Sequence, residues 1–218
     1  IINNVPRSWM AWPGDTVVID GGGTATALIS LRDGTNSLFQ GLELRNTTRW
    51  MFSVDGANSN VIWRKNIMHG IVSTGTNNPA GIFVWDGPAI HPPISGGSYY
   101  YNRFVVQDNQ FYDINNNVNH AGSVVFYDVA NAVYEDNAIH NIQGRCIGDK
   151  DDGYYNTFRH NVCYAAVTGG VSLDSQYSQT QIDVSHNLIY GVGEAVVVGT
   201  QPGYIKDVFI HHNTIVNG

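Results

Sequence analysis

Side chains that can move protons or hold cations are concentrated in one short part of the chain, residues 144–160. Arg145 and Lys150 lie near its start, and Lys150 is one of only three lysines in 218 residues. The acidic residues around Lys150 are Asp149, Asp151 and Asp152. A lysine among acids can take part in proton transfer, and oxygen-rich clusters are typical of Ca²⁺ sites. We therefore take this stretch as the candidate functional site.

A fourth acidic residue, Asp174, follows Asp149 by 25 residues. That interval is close to a repeat length that runs through the chain, so we expect these two side chains at equivalent positions on one outward face. Carboxylates stacked about 5 Å apart on neighbouring strands repel each other and favour a bound cation. The sequence predicts a Ca²⁺ site formed by Asp149, Asp151, Asp152 and Asp174. The alternative is an ordinary acidic turn, because Asp-Gly pairs commonly make turns.

A six-residue pattern recurs along most of the chain and predicts how these residues are positioned. It reads apolar, two polar residues, Asn, any residue, apolar, and its six clear copies centre on Asn66, Asn109, Asn137, Asn161, Asn187 and Asn213. A weaker copy has Leu42 in the place of Asn. Successive copies are 24 to 28 residues apart, except for one interval of 43. Both apolar positions are apolar in every copy, as expected if they face one continuous core.

A repeat near 25 residues without helical periodicity predicts the turns of a β-solenoid, in which neighbouring turns stack through backbone hydrogen bonds. Asn would make the bend between two strands, because it tolerates the left-handed backbone region and its amide can bond the Asn above and below. A third strand per turn is predicted between the copies, at residues 26–31, 50–54, 81–85, 123–127, 145–149, 170–173 and 195–198. We expect about eight turns.

This pattern resembles the right-handed parallel β-helix superfamily typified by pectate lyases, which has three short sheets around an apolar core and a line of stacked Asn side chains. The resemblance covers about residues 15–218 and implies an all-β, three-sheet solenoid in a single domain, 1–218. Both ends of the sequence look like incomplete turns, so we expect a fragment of a longer chain. The alternative is that Trp9, Trp12 and a first strand at residues 16–20 cover the N-terminal end.

In lyases of this superfamily, a base removes the proton next to a uronate carboxylate while a cation neutralises that carboxylate. The resemblance implies Lys150 as the base and Arg145 as the neutralising group, with calcium as the expected cofactor. The acidic neighbours are expected to raise the pKa of Lys150. We find no intact catalytic motif of polygalacturonases or of alginate and chondroitin lyases. The resemblance therefore implies a lyase or epimerase acting on an acidic polysaccharide, or alternatively a non-catalytic, tailspike-like module that binds glycans, secreted or at the cell surface.

An inserted loop at residues 73–101 accounts for the long interval between two copies, and long excursions from a solenoid tend to build a binding wall. It carries aromatic rings that could stack on sugar faces, and polar groups lie in or near it. The predicted substrate-binding residues are Trp85, His91, Tyr99, Tyr100, Tyr101, His120 and Tyr127. The alternative is that the rings only pack the loop against the solenoid.

Composition narrows the class of partner. Charged residues make up 13% of the chain and the net charge is −7. Because Lys and Arg form no cluster, we expect no nucleic-acid partner. No apolar run reaches the roughly 20 residues of a membrane span, so no membrane partner is expected. Cys146 and Cys163 are predicted on different strands as buried thiols rather than as a disulfide.

Overall fold

The computed structural model describes residues 6–73, 75, 78–85, 101–116, 121–175, 177–199 and 203–216, with the backbone alone at residues 101 and 116. These residues form three parallel sheets, and they contain no helix long and apolar enough to cross a membrane. Each sheet receives one strand from almost every turn of the chain, so the protein is a parallel β-helix of about 7 turns. The predicted fold is confirmed, with one turn fewer than expected.

The strands of each sheet follow one another in chain order. The first sheet consists of β1 (Arg7–Met10), β4 (Thr35–Gln40), β7 (Asn58–Arg64), β10 (Tyr101–Gln107), β14 (Val133–Glu135), β17 (Thr157–Arg159), β20 (Ser178–Ser185) and β23 (Tyr204–His211), with β13 (Val129–Ala130) also paired to β10. The second sheet consists of β2 (Val17–Asp20), β5 (Leu42–Thr47), β8 (Ile67–Ser73), β11 (Gln110–Asn116), β15 (Ala138–Ile142), β18 (Val162–Ala166), β21 (Leu188–Tyr190) and β24 (Thr214–Val216).

The third sheet carries the candidate site. It consists of β3 (Ala27–Arg32), β6 (Trp50–Asp55), β9 (Ala80–Val84), β12 (Ala121–Tyr127), β16 (Gly144–Lys150), β19 (Gly169–Asp174) and β22 (Glu194–Val198). Each of the seven strands overlaps one of the seven third strands predicted from the sequence. The repeat therefore located this sheet correctly, to within a few residues at each end.

The apolar positions of the repeat line a continuous core between the sheets. All of them are buried except Ile210 and Ile215, which lie on β23 and β24. In the described part of the chain no strand stacks beyond these two, so their outer sides have no neighbouring turn to cover them. Burial of two apolar residues per turn is the main stabilising term expected for such a solenoid.

The six repeat asparagines lie in one hydrogen-bonded line inside the bend between the first and second sheets. Asn161 shows the pattern: its Nδ2 donates to Oδ1 of Asn187 and to the backbone oxygen of Tyr134, both at 3.0 Å. Its own Oδ1 accepts from the backbone N and from Nδ2 of Asn137, again at 3.0 Å. Each side chain before Asn213 thus bonds to groups of the turns on both sides, and Asn213 bonds to the preceding turn.

The sequence interpretation placed the asparagine in the left-handed backbone region. In the structure the residue before each asparagine takes that conformation. Those residues are Lys65, Asp108, Asp136, His160, His186 and His212, all with φ between 52 and 57°. In the first copy Gly41 takes this place, with φ at 70°. Because the preceding residue makes the turn, the Asn side chain is directed inward, where its amide can bond along the stack.

Replacing Asn161 with alanine should lower the free energy of unfolding by about 1–3 kcal/mol, because the backbone groups that it satisfies would stay buried without partners. Chemical denaturation of both proteins would measure the change. Asn115→Ala is the matched control, since Asn115 is exposed and outside the line. An equal loss of stability in both variants would contradict a special role for the stacked amides.

Cys146 and Cys163 form a disulfide, so the prediction of two free thiols is wrong. Cys146 lies on β16 and Cys163 on β18, in different sheets, but both side chains point into the core and their Cα atoms are 6.1 Å apart. The sequence interpretation overlooked that inward side chains of two sheets meet across a narrow core. The bridge joins β16, which carries Arg145 and Lys150, to β18 in the second sheet.

The double variant Cys146→Ala/Cys163→Ala should be less stable by about 3 kcal/mol, the loop-entropy value for a loop of this size; the two cysteines are 17 residues apart. Denaturant unfolding would measure the loss. Intact-mass analysis after alkylation without reductant would show whether the wild type carries the bridge. Uptake of alkylating reagent by both cysteines of the unfolded, unreduced protein would contradict the disulfide.

Candidate functional site

The outer face of the third sheet gathers the predicted catalytic residues with aromatic and hydroxyl groups. Parallel pairing aligns Lys150 on β16 with Tyr127 on β12 and with Asp174 on β19. Toward the start of the same strands, Arg145 aligns with Gly122 and Gly169. Arg145 and Lys150 are five residues apart and both project from the outer surface, because β16 does not alternate regularly: Cys146 and Ile147 are consecutive and both buried.

Lys150 is partly buried on this face. Its Nζ is 3.4 Å from the hydroxyl of Tyr127 and 5.3 Å from the centre of that ring. Burial lowers the pKa of Lys150, and the positive charge of Arg145 lowers it further, against the opposite effects of Asp174 and Asp151. The expectation that acidic neighbours raise this pKa is therefore wrong, because loss of hydration outweighs them.

Arg145 lies beside Lys150, and the charge of Asp174 acts on both cations. Its Nη1 donates to the Ser172 hydroxyl at 2.9 Å. A Cβ on Gly148 would come within 3.2 Å of Cδ of Arg145, so the missing side chain leaves Arg145 room to lie along the strand toward Lys150. Within the described part of the chain neither cation forms a salt bridge. Asp174 thus offsets part of this positive charge without direct contact, and both cations can still contact an anion.

Asp149 and Asp174 do not share a face, and the expectation that they occupy equivalent positions is wrong. Asp174 pairs with Lys150, whereas Asp149 pairs with Leu173 and is fully buried. The turn at this point is 24 residues long instead of 25, and a slip of one residue moves a side chain to the other face. The geometry from which the shared Ca²⁺ site was inferred is thus absent.

Asp149 lies inside the solenoid, where Nδ2 of Asn156 donates to its two oxygens at 3.3 and 3.1 Å. Burial raises the pKa of Asp149 to about 7; the bonds from Asn156 oppose this rise, and the charges of Asp128 and Asp151 add to it. The carboxyl group thus favours its neutral form. It is a structural group of the interior and faces away from the outer surface.

The other aspartates near strand ends cap turns. Oδ1 of Asp152 accepts a hydrogen bond from the backbone N of Ser178 at 2.9 Å. Oδ1 of Asp128 accepts one from the backbone N of Asp152 at 3.1 Å. Among the residues that the structure describes, no group of three or more His, Cys, Asp or Glu side chains is placed to hold a metal ion. Calcium binding stays a prediction from the sequence. The hydrogen bonds that Asp128 and Asp152 accept in turns account for the positions of their side chains.

An aromatic cluster continues the outer face toward the N-terminal turns. The Trp50 ring lies 4.9 Å from Phe83 and 5.0 Å from Trp85, and Phe83 lies 5.9 Å from Tyr127. The guanidinium of Arg49 covers Trp50 at 3.9 Å. Trp85 is the exposed member, which leaves part of its ring open to a ligand.

Sequence reasoning found Trp85 and Tyr127 but missed Trp50, Phe83 and Ser172. Trp50 and Phe83 lie within strands that the repeat predicted. Aligning the predicted third strands and marking the residues that face outward would have found both rings. The remaining predicted binding residues His91, Tyr99, Tyr100 and His120 lie outside the described residues. Tyr101 begins β10, in the first sheet, and its side chain is not described.

The second sheet carries another aromatic row, made of stacked rings. The rings of His69, Tyr112, His140, Tyr164 and Tyr190 follow one another at 4.6 to 5.2 Å and lie nearly parallel. Each ring covers the face of the next, so the row offers mainly ring edges to solvent. It stabilises the stacking of turns but is a poor platform for sugar rings, which would need an open ring face.

Comparison with known proteins matches only the fold. No protein-family model and no curated protein sequence matches the chain. An alginate lyase from Paenibacillus sp. str. FPU-7 is similar in structure, with a TM-score of 0.58 and 13% identity over 91% of this chain and 71% of that chain. PfbA, a surface adhesin of Streptococcus pneumoniae, matches with a TM-score of 0.54 and 14% identity over 93% of this chain, which spans 59% of the adhesin chain. These likenesses identify the chain as a parallel β-helix protein.

Proposed function

We propose that the outer face of the third sheet binds an acidic polysaccharide and cleaves it by β-elimination. The observation that carries this proposal is the pair Lys150 and Arg145: two neighbouring, partly buried cations that form no salt bridge with any described residue, next to the hydroxyls of Tyr127 and Ser172. A buried cation normally has an acidic partner. Asp174 acts on both cations but forms no salt bridge with either, and a uronate carboxylate would supply the direct partner.

The roles of the two cations follow from their chemistry. Arg145 pairs with the uronate carboxylate and stabilises the negative charge that develops next to it. Neutral Lys150 takes the proton from the carbon beside the carboxylate, and its lowered pKa increases the neutral fraction. The C–H electron pair forms a carbon–carbon double bond, and the bond to the glycosidic oxygen breaks with its pair on that oxygen. The oxygen then takes a proton from Lys150 or from solvent.

The same two residues also support epimerisation. In that case a solvent water protonates the carbanion on its opposite face, and the bond to the glycosidic oxygen stays intact. The aromatic cluster would hold the chain of sugars in either reaction, with the open ring of Trp85 as the platform for an adjoining sugar. The alginate lyase of similar fold is consistent with this class of reaction.

The disulfide supports a location outside the reducing cytosol. Disulfides form and persist in oxidising compartments. The bridge between Cys146 and Cys163 therefore favours a secreted or cell-surface protein, where polysaccharides are available as partners.

A second candidate function is glycan binding without catalysis. It is favoured by the exposed Trp85 ring at the edge of a large aromatic cluster, a feature that binding needs and elimination does not. The surface adhesin among the similar structures has the same fold. In this function Arg145 and Lys150 would only pair with carboxylates.

Incubation with pectate, alginate and glycosaminoglycans separates the two functions. Ultraviolet absorbance reports the unsaturated product of elimination, solvent-deuterium incorporation reports epimerisation, and calorimetry measures binding. Product from at least one polymer supports elimination. Binding without product or deuterium exchange would overturn it and support the binding module, and the absence of binding to every polymer would overturn both.

A further inference from the structure

A small cavity adjoins Arg145 on the side away from the aromatic cluster. It lies between β16, β19 and β22, and Arg145, Ser172, Asp174, Glu194 and Gly199 are among its lining residues. Its volume is about 130 Å³. A cavity of about 150 Å³ in another protein holds one benzene ring, so this one has room for part of a single sugar ring.

The charges around this cavity are unequal. Arg145 is the single cation among the lining residues of the described chain, and it faces Asp174 and Glu194. Oδ1 of Asp174 is buried and accepts no hydrogen bond from the residues that the structure describes. A buried acceptor without a donor is unfavourable, so this atom favours a ligand that brings a hydroxyl or amide hydrogen.

We infer that this cavity is a subsite for a sugar without a carboxylate, a neutral or N-acetylated sugar, next to the uronate held by Arg145 and Lys150. The inference rests on the proposed function of the same face. A second uronate placed in the cavity would bring its carboxylate beside Asp174 and Glu194, and such like-charge contacts reject a ligand. The preferred substrate is therefore a polymer that alternates uronate with an uncharged sugar, rather than a polymer of uronate alone.

Binding of two probes of equal length tests this subsite independently of cleavage. The first is a hexasaccharide that alternates glucuronate with N-acetylglucosamine, and the second is a hexamer of galacturonate. Lys150→Ala serves as the form that leaves the probes intact, and calorimetry at fixed low salt measures both affinities. We expect the alternating probe to bind at least about tenfold tighter, a difference well within what one rejected charge produces.

Variants that each remove one negative charge show whether the cavity causes the preference for the alternating probe. Asp174→Asn and Glu194→Gln, each in the Lys150→Ala background, should bring the two affinities closer by raising the affinity for oligogalacturonate. Asp108→Asn is the matched control, since it removes a negative charge from an exposed bend far along the chain from the cavity and should leave the ratio unchanged. Thermal unfolding confirms that each variant is folded.

The outcomes distinguish failure of the proposed subsite from failure of the proposed elimination reaction. Equal affinities in the parent, or a ratio that Asp174→Asn and Glu194→Gln leave unchanged, would overturn the subsite while leaving elimination standing. A preference that follows these variants, in a wild type that forms no unsaturated product, supports the subsite and overturns elimination. Failure of both probes to bind to Lys150→Ala and to the wild type alike would overturn the subsite together with the uronate site beside it.

Discussion

Replacement of Lys150 with alanine is expected to lower kcat for polysaccharide cleavage by about 10²–10⁴-fold, the contribution typical of a general base. KM should change much less, because Arg145 and the aromatic cluster remain in place. The comparison needs steady-state kinetics on whichever polymer the wild type cleaves. Lys206→Ala is the matched control, since Lys206 is an exposed lysine on β23, in a different sheet.

The pH dependence of the same reaction gives a second check on Lys150. The neutral amine is the active form, so the rate should rise with pH, with a midpoint below the ordinary lysine pKa because burial and Arg145 lower it. The Lys150→Ala variant should lose this rise. Full activity in Lys150→Ala would eliminate the proposed base and leave the residue a binding role at most.

Replacement of Asp149 with asparagine is expected to remove a large pH dependence of stability. The pKa of Asp149 is raised to about 7 in the folded protein, whereas an unfolded aspartate has a pKa of about 3.9. Because the folded state holds the proton more tightly, stability from this group is present below about pH 4 and is lost as the pH rises to about 7. With about three pH units between the two values, the loss is on the order of 4 kcal/mol.

Denaturant unfolding at several pH values between 4 and 8 measures this effect as a difference between two proteins. Asparagine mimics the neutral carboxyl group, so Asp149→Asn should match the wild type near pH 4 and exceed its stability at pH 8. Asp108→Asn, at an exposed bend, should keep the slope of the wild type. Parallel pH profiles for Asp149→Asn and the wild type would show that Asp149 is ionised without penalty in the folded state.

The repeat determined the fold because all turns except the last bury the same two positions, and all except the first bend at an Asn. Such a pattern is local, and it needs only one turn and its neighbour to be satisfied. The core positions and the seven strands of the third sheet could therefore be predicted from the sequence. Trp85, Tyr127 and Arg145 could also be assigned to the third strand of their turns, and Lys150 to the position directly after one.

What only the tertiary structure decided is which face each of these side chains takes. Cys146 and Ile147 are consecutive and both buried, so β16 does not alternate regularly. Asp149 consequently points inward and Lys150 outward, and a 24-residue turn then aligns Lys150 with Asp174. A one-residue difference in register is invisible in a repeat of variable length, yet it reverses the face of every residue that follows. The disulfide depended in the same way on a distance across the core, which no spacing along the chain contains.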